Sequence, residues 1–264
     1  MRGLSGRIAR GGQIAALRCV TVAAAAAFAL MPHAVDAAGQ PSVKALTGKP
    51  PYQLYVLGDS FASELGDGLK WALRDGKIVL VHKRTKAATG LVRDDTYDWF
   101  KVVRNVLAED KPHVIVIAIG GNDRQDVRVG GKRYERFTKA WRAEYLKRVD
   151  RLASLLGNSG AAVYWVGLPN VRSQQMTRDY GRFNGYFKDA ARKHGITYID
   201  MAKLFAGSNG SYVAYGKALD GQTHRLRDTD GIHLTNVGAQ KLGEYVAKTI
   251  RADMREAAAR RSAN

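Results

Sequence analysis

Beyond residue 50 the chain alternates between short apolar runs and longer stretches in which apolar residues recur every three or four positions. The runs Leu54–Leu57, Ile78–Val81, Val114–Ile119 and Ala162–Val166, with a shorter one at Ile196–Ile199, have strand length and a β-branched content that favours strand over short helix. Between them lie amphipathic helices. Ala62, Leu65, Leu69, Ala72 and Leu73 form one apolar face over 62–73, and Phe100, Val103, Val106 and Leu107 do the same over 97–108. A longer helix runs from Thr138 to Leu156, with Trp141, Tyr145, Val149 and Leu152 on its inner stripe and Arg142, Lys147, Arg148 and Arg151 outside it. A fourth covers Gln175–His194, weakened by Gly181 and Gly185, and a last one covers Val237–Ile250. Strands apolar on both faces, alternating five times with helices, predict a parallel sheet covered by helices on both sides. Ligands of such sheets collect beyond the carboxyl ends of the strands. Chemistry is therefore expected after Leu57, after Ile119 and before the last helix.

Residues 201–229 break this rhythm. Gly207-Ser208-Asn209-Gly210 is a turn cluster, and Ser211–Tyr215 and Thr223–Arg227, on either side of Asp220-Gly221, predict a hairpin over the site. One domain is expected over 51–252. A short lead-in at 39–50 precedes it, and an alanine- and arginine-rich stretch, helical and then fraying to a basic tail, follows over 253–264.

The first 38 residues read differently. Arg2, Arg7, Arg10 and Arg18 precede an apolar run from Cys19 to Met31, and Val35-Asp36-Ala37-Ala38 supplies small residues for a peptidase. This is the pattern of a secretory signal peptide cut near Ala37 or Ala38, in a chain destined for the periplasm or for secretion. Its apolar run falls short of the roughly 20 residues that span a bilayer as a helix. Cys19 is the only cysteine, so cleavage leaves a chain without disulfide, thiolate zinc ligand or cysteine nucleophile.

The balance of 45% hydrophobic to 25% charged residues is that of a globular protein with one sizeable core. The net charge is +18, and removing the four arginines and Asp36 of the first 38 residues leaves +15. Such a field gathers anionic partners and favours peripheral association with an anionic envelope surface. Nucleic acid is not an expected partner, because no zinc-finger spacing, RNA-recognition motif or helix-turn-helix pattern is present.

Three segments carry candidate chemistry. Leu54–Leu57 runs straight into Gly58-Asp59-Ser60, and a serine at a strand-to-helix turn offers its hydroxyl at the sheet edge, near the positive end of the helix. The same serine is equally suited to be that helix's N-cap. Val114–Ile119 ends in Gly120-Gly121-Asn122-Asp123, where the Asn122 amide can donate to an oxyanion and where the four residues equally make a polar turn. Asp230-Gly231-Ile232-His233 sets a carboxylate three residues before an imidazole, a spacing that lets Asp230 reach one ring nitrogen while the other faces Ser60.

Together and in this order, the three segments resemble the blocks of the SGNH/GDSL hydrolase superfamily, over about Tyr52 to Ile250, with Gly167–Ser173 similar to a bacterial branch of it. The resemblance implies a flavodoxin-like, three-layer α/β sandwich with a five-stranded parallel sheet. It implies Ser60 as nucleophile, His233 as base and Asp230 as its orienter, with an oxyanion hole from the Ser60 N–H, the Asn122 side chain and a glycine N–H. Gly90, in Ala87-Ala88-Thr89-Gly90-Leu91, is the candidate for that glycine, and Phe61 stands where the family usually has leucine. The implied reaction is hydrolysis of ester-linked acyl groups, on an acylated small molecule or an envelope glycan or lipid, without cofactor. O-acyl groups on envelope carbohydrate are the preferred substrate. An O-acyltransferase, or a non-catalytic envelope-binding protein on the same fold, are the competing readings. Of the other histidines, His82 and His113 read as packing residues, His194 as a partner of a helix end and His224 as a residue of the irregular 201–229 segment, with lining of the pocket as its minor reading. No spacing of ligands suggests a metal and no phosphate loop suggests a nucleotide.

Overall fold

A computed structural model describes residues 50–75 and 78–262. The signal-peptide reading of 1–38 and the lead-in over 39–49 lie outside the described residues.

Each apolar run becomes a strand and each periodic stretch a helix. β1 (Tyr52–Gly58) leads to α1 (Ser60–Ala72), β2 (Val79–Thr85) to α2 (Trp99–Asn105), and β3 (Val114–Ala118) to a hairpin of β4 (Val127–Val129) and β5 (Lys132–Tyr134). There follow α3 (Lys139–Gly157), β6 (Ala162–Val166), α4 (Gln174–Lys193), β7 (Thr197–Ile199), a second hairpin of β8 (Tyr215–Lys217) and β9 (Thr223–Arg225), and α5 (Asn236–Ser262). Five strands form one parallel sheet in the order β2-β1-β3-β6-β7. α1 and α5 pack together on one side, and α3 packs with α2 and α4 on the other. This is the three-layer α/β sandwich that the alternation predicts. The strand order reverses between β1 and β3, which makes the crevice beyond their carboxyl ends the place for a ligand.

The core is the apolar content of the strands meeting the inner helix stripes. All five residues of β3 and of β6 are buried, as central strands covered on both faces require. Phe183 and Phe187 of α4, with Trp141 and Tyr145 of α3, extend the core to Trp165 through a run of ring contacts.

Several boundaries differ from the apolar pattern for physical reasons. β2 continues through His82, Lys83, Arg84 and Thr85, because pairing with β1 as far as Gly58↔Thr85 holds the backbone extended whatever the side chains are. β2 is an edge strand, so the apolar Ile78 and Leu80 that pointed to it stand exposed. α2 stops at Asn105 and passes into a π-turn over Val106–Asp110, ended by Lys111 in the left-handed region. Gly181 and Gly185 do not break α4, since nothing approaches their Cβ positions and they lie along its outer side. Arg148, expected outside, is buried. Its guanidinium donates to the Leu91 and Arg128 carbonyls and pairs with Asp94 and Glu144. The β4–β5 hairpin turns on Gly130 and Gly131, both with positive φ, a two-residue connection that only such residues make cheaply. The stretch read as a basic tail continues α5 as a helix to Ser262. There Asp253 accepts the Tyr164 hydroxyl at 2.7 Å and Ala257 is buried.

α1 and α5 cross with their backbones in contact. A Cβ at Gly68 would meet the Ala239 carbonyl oxygen at 1.9 Å, and one at Gly243 would meet the Gly68 carbonyl carbon at 2.1 Å. Backbone cannot give way as a side-chain tip can. Gly68→Ala and Gly243→Ala are therefore expected to cost at least the ~1–3 kcal/mol of an overpacked core, although alanine is the better helix former. Urea denaturation of either variant with an unchanged midpoint would show that the crossing can widen freely.

Candidate active site

Two glycine turns bring the first two motifs together. Gly58 pairs with Ala118, so β1 and β3 end level, and the Asp59 N–H donates to the Ala118 carbonyl at 3.2 Å. Gly58 adopts φ 134°, and a Cβ there would meet the Ala118 oxygen at 1.8 Å, so no other residue fits. Asp59, not Ser60, caps α1: its Oδ1 accepts the Phe61 N–H at 3.0 Å. Its Oδ2 accepts the Gly120 and Gly121 N–H groups at 3.1 and 2.9 Å. The N-cap reading of the serine is thereby removed, and the Ser60 hydroxyl is left for other work.

The second motif is arranged in the same way. Asp123 points into the core, where Oδ1 accepts the Val92 N–H at 3.1 Å and Oδ2 the Tyr145 hydroxyl at 2.8 Å. Asn122 points to the cleft and donates from Nδ2 to the Thr89 carbonyl at 3.0 Å. Gly90 is buried beside this contact. A Cβ there would meet Asp123 Oδ1 at 2.1 Å, which explains the glycine by close packing, and among the described residues its N–H donates to no intramolecular acceptor. The cleft wall itself is made by the neighbouring Ala87 and Ala88.

The third motif closes on the first. His233 Nε2 lies 2.9 Å from Ser60 Oγ, and His233 Nδ1 lies 2.6 Å from Asp230 Oδ2. With the Nδ1 proton donated to the carboxylate, Nε2 is left to accept the Ser60 O–H. Asp230 Oδ1 accepts the Ile232 and His233 N–H groups at 2.7 and 3.0 Å. Burial pushes the Asp230 carboxyl up, but the His233 ring and these two N–H donors outweigh it and hold it at about 2. The Asp230 carboxylate beside the imidazole is thus ionised at neutral pH. Thr235 then caps α5, its hydroxyl accepting the Gly238 N–H at 3.2 Å.

Ser60, Asn122 and His233 open into a cleft of about 350 Å³ whose walls are apolar: Phe61, Ala87, Ala88, Met176, Ile232 and the ring of Tyr180. The Tyr180 hydroxyl is turned away to the Gly121 carbonyl at 2.8 Å. His224 is not part of this cleft; it pairs with Asp220 across the turn of the β8–β9 hairpin, and no residue of that hairpin lines the walls. His82 stacks on Tyr55, His113 accepts the Gln53 N–H and His194 binds Asp150. Among the described residues no three His, Cys, Asp or Glu side chains converge as metal ligands would.

The motif pattern did not reveal Glu64. It lies on α1 one turn after Ser60, a spacing that shares a helix face, and its Oε2 accepts the Leu234 N–H at 3.1 Å. Burial pushes its carboxyl up to about 7, against the lowering effects of that N–H, His233 and Arg227.

This fold is that of the SGNH/GDSL hydrolases. The chain belongs to the family described as "Protein of unknown function (DUF459)", which matches residues 53–249. Among solved structures it is similar to TesA, at 20% identity and a TM-score of 0.52, over 76% of this chain and 99% of that one. It is also similar to the acetyl xylan esterase AlAXEase, at 14% identity and a TM-score of 0.55, over 75% and 98% of the two chains. The aryl esterase of M. smegmatis matches at 12% identity and a TM-score of 0.51, over 76% and 99%. No curated protein matches the chain by sequence.

Asp59 makes the site testable apart from its chemistry. Burial pushes its carboxyl up to about 7, opposed by the Phe61, Gly121 and Gly120 N–H groups. A carboxyl raised in the folded state above its unfolded value stabilises the fold fully below that unfolded value, and the contribution is lost as pH rises toward 7. Asp59→Asn should therefore give a flatter stability profile than the wild type between about pH 4 and 7. It should also be less stable by at least the ~1–3 kcal/mol of one orphaned buried donor, since the amide cannot accept on both sides. Chemical denaturation at several pH values measures both, and a variant with wild-type stability and slope would contradict this account of Asp59.

Proposed function

We propose that this protein is a serine esterase that hydrolyses ester-linked acyl groups, with Ser60 as nucleophile, His233 as general base and Asp230 as its orienter. The observation that carries the reading is the unbroken relay from Ser60 Oγ to His233 Nε2 at 2.9 Å and from His233 Nδ1 to Asp230 at 2.6 Å. An N-cap serine with an incidental histidine does not require a carboxylate on the far ring nitrogen.

In the reaction the Ser60 oxygen attacks the ester carbonyl while its proton passes to His233 Nε2. The carbonyl oxygen becomes an oxyanion, stabilised by the Asn122 amide with the Ser60 and Gly90 N–H groups as backbone donors. The C–O bond to the alcohol breaks and the imidazolium returns its proton to that alcohol. Water, deprotonated by the same nitrogen, then attacks the acyl-enzyme and releases the acid, restoring Ser60. Apolar walls in which Phe61, Met176, Ile232 and the Tyr180 ring close the space that Ala87 and Ala88 leave suit a short acyl group such as acetyl. The net charge suits a leaving group on an anionic envelope carbohydrate, and the acetyl xylan esterase likeness supports a carbohydrate ester. The protein acts outside the cytoplasm, after cleavage of the first 37 or 38 residues, on the strength of their arginine, apolar and small-residue order.

Two outcomes follow. A fluorophosphonate probe should label wild type at Ser60. Ser60→Ala and His233→Ala should each abolish nearly all turnover of acetyl esters, and Asn122→Ala should lose on the order of 100-fold, as one oxyanion donor typically does. An unlabelled wild type, or an active Ser60→Ala, refutes the mechanism. For export, intact-mass analysis of protein from the envelope fraction should give a chain starting at Ala38 or Gly39; a full-length cytoplasmic protein would end that part of the proposal.

A further inference from the structure

The loop that carries the base is closed on itself at its neck. Arg227 and Leu234 form an isolated antiparallel bridge, the Asp228 N–H donates to the His233 carbonyl at 2.8 Å, and the Thr235 N–H donates to the Leu226 carbonyl at 3.0 Å. Its body is tied away from α1. The buried Arg227 guanidinium donates to the Ile232 and Asn170 carbonyls, the Arg172 N–H to the Gly231 carbonyl at 2.9 Å and the Arg172 guanidinium to the Thr229 carbonyl at 2.9 Å. These bonds fix the loop's shape and join it to the segment between β6 and α4. They do not fix its distance from Ser60.

Two bonds reach from the loop to α1, the helix that begins with the nucleophile. One is His233 Nε2 to Ser60 Oγ, and the proposed reaction dissolves it: once Ser60 is acylated it has no O–H to donate. The other is the Leu234 N–H to Glu64 Oε2 at 3.1 Å. It involves no reacting atom, so it persists through both halves of the cycle. Leu234 directly follows His233, and Glu64 is one turn from Ser60, so this bond spans the shortest framework path between base and nucleophile. A half-buried carboxylate kept at that point is otherwise hard to account for, since burial opposes its ionised form.

Resting on the hydrolase reading, we infer that Glu64 is a positioning residue: through the Leu234 amide it clamps the Asp230–His233 loop to the nucleophile helix and keeps Nε2 at its working distance from Oγ while the serine is acylated. The charged and titratable groups facing it are Arg227, Asp230 and His233 from the loop side. Glutamine keeps an acceptor oxygen and removes the charge; alanine removes both.

The test compares Glu64→Gln, Glu64→Ala and wild type, each checked for folding by circular dichroism. With p-nitrophenyl acetate, Glu64→Ala should lose about 10- to 100-fold in kcat/KM, the scale of a misplaced catalytic group, while Glu64→Gln should stay within about 3-fold of wild type. In ¹⁵N-labelled wild type the Leu234 amide should exchange slowly with solvent, and in Glu64→Ala at least about 10-fold faster, as loss of a protecting hydrogen bond requires. A folded Glu64→Ala with wild-type rates overturns the inference, as does a folded Glu64→Gln as slow as the alanine variant. If Glu64→Ala does not fold, rapid exchange of Leu234 in wild type overturns it. A wild type that neither turns over nor takes the fluorophosphonate breaks the hydrolase reading instead, and the clamp is then decided by the amide exchange alone.

Discussion

Where two parallel strands end side by side, their last backbone amides need acceptors, and here one buried carboxylate serves three of them. Asp59 takes the Phe61, Gly120 and Gly121 N–H groups, which belong to the start of α1 and to the turn beyond β3. Three donors on two oxygens leave the carboxylate little freedom to rotate, and the two turns are held at a fixed separation. Ser60 and Asn122 are the residues adjacent to those bonded positions, so their placement across the crevice follows from a buried group that does not itself line it. The turn glycines belong to the same constraint: a side chain at Gly58 would collide with the β3 carbonyl that Asp59 must approach.

The same division of labour recurs in the second motif and gives the pair its logic. In Asp59-Ser60 and in Asn122-Asp123 one residue faces the cleft and its neighbour faces the core. Asp123 gathers the Val92 N–H and the Tyr145 hydroxyl and packs against Gly90, so the loop after β2 is set by the acid that follows Asn122. Two carboxylates buried this close repel, and burial raises both. The buried Arg148 lowers the cost at Asp123 and binds the Leu91 carbonyl beside it. Asp230 is placed oppositely, on an exposed loop with two N–H donors and the imidazole, where it is held at about 2. Acids that hold the frame are dry; the acid that must stay charged is wet.

Sequence made the frame and the reacting residues legible for separate reasons. Strands show through as short continuous apolar runs and helices through an apolar period of 3.6, and the central strands β3 and β6 are recoverable almost to the residue. Edge strand β2 is less so, because its extent is decided by pairing with β1 and not by its own composition. The three motifs are short and each has an ordinary explanation, so their order and their positions at strand ends carried the inference. Contacts between segments distant in sequence were not readable. Glu64 and Leu234 are 170 residues apart and Arg148 and Leu91 are 57 apart, and the one local partner of Arg148, Glu144 four residues before it, fits an exposed helix face equally well. The Gly130-Gly131 turn was visible in principle, since two glycines between alternating residues are a hairpin signal, and it was masked by the longer charged run around it. Gly90 stands between these cases: its position after the second strand suggested a donor, whereas the close approach of Asp123 is what demands glycine there.

Ser60 and His233, the proposed nucleophile and base, come from the two ends of the domain, 173 residues apart, yet stand 2.9 Å from one another. No element contains both, so their spacing is assembled by tertiary contact alone. Asp59 fixes the first turn of α1 to the sheet, and the Gly68–Gly243 crossing fixes the middle of α1 to α5, the helix that starts at Asn236, shortly after His233. His233 is therefore brought to Ser60 by a helix pair whose backbones touch, with the Leu234 N–H to Glu64 bond nearest the two side chains. A reaction that needs a hydrogen bond of this length cannot tolerate a displacement of even about 1 Å without large loss of rate. It follows that substitutions far from the cleft, along the α1–α5 contact, should act on turnover through geometry before they act on the amount of folded protein.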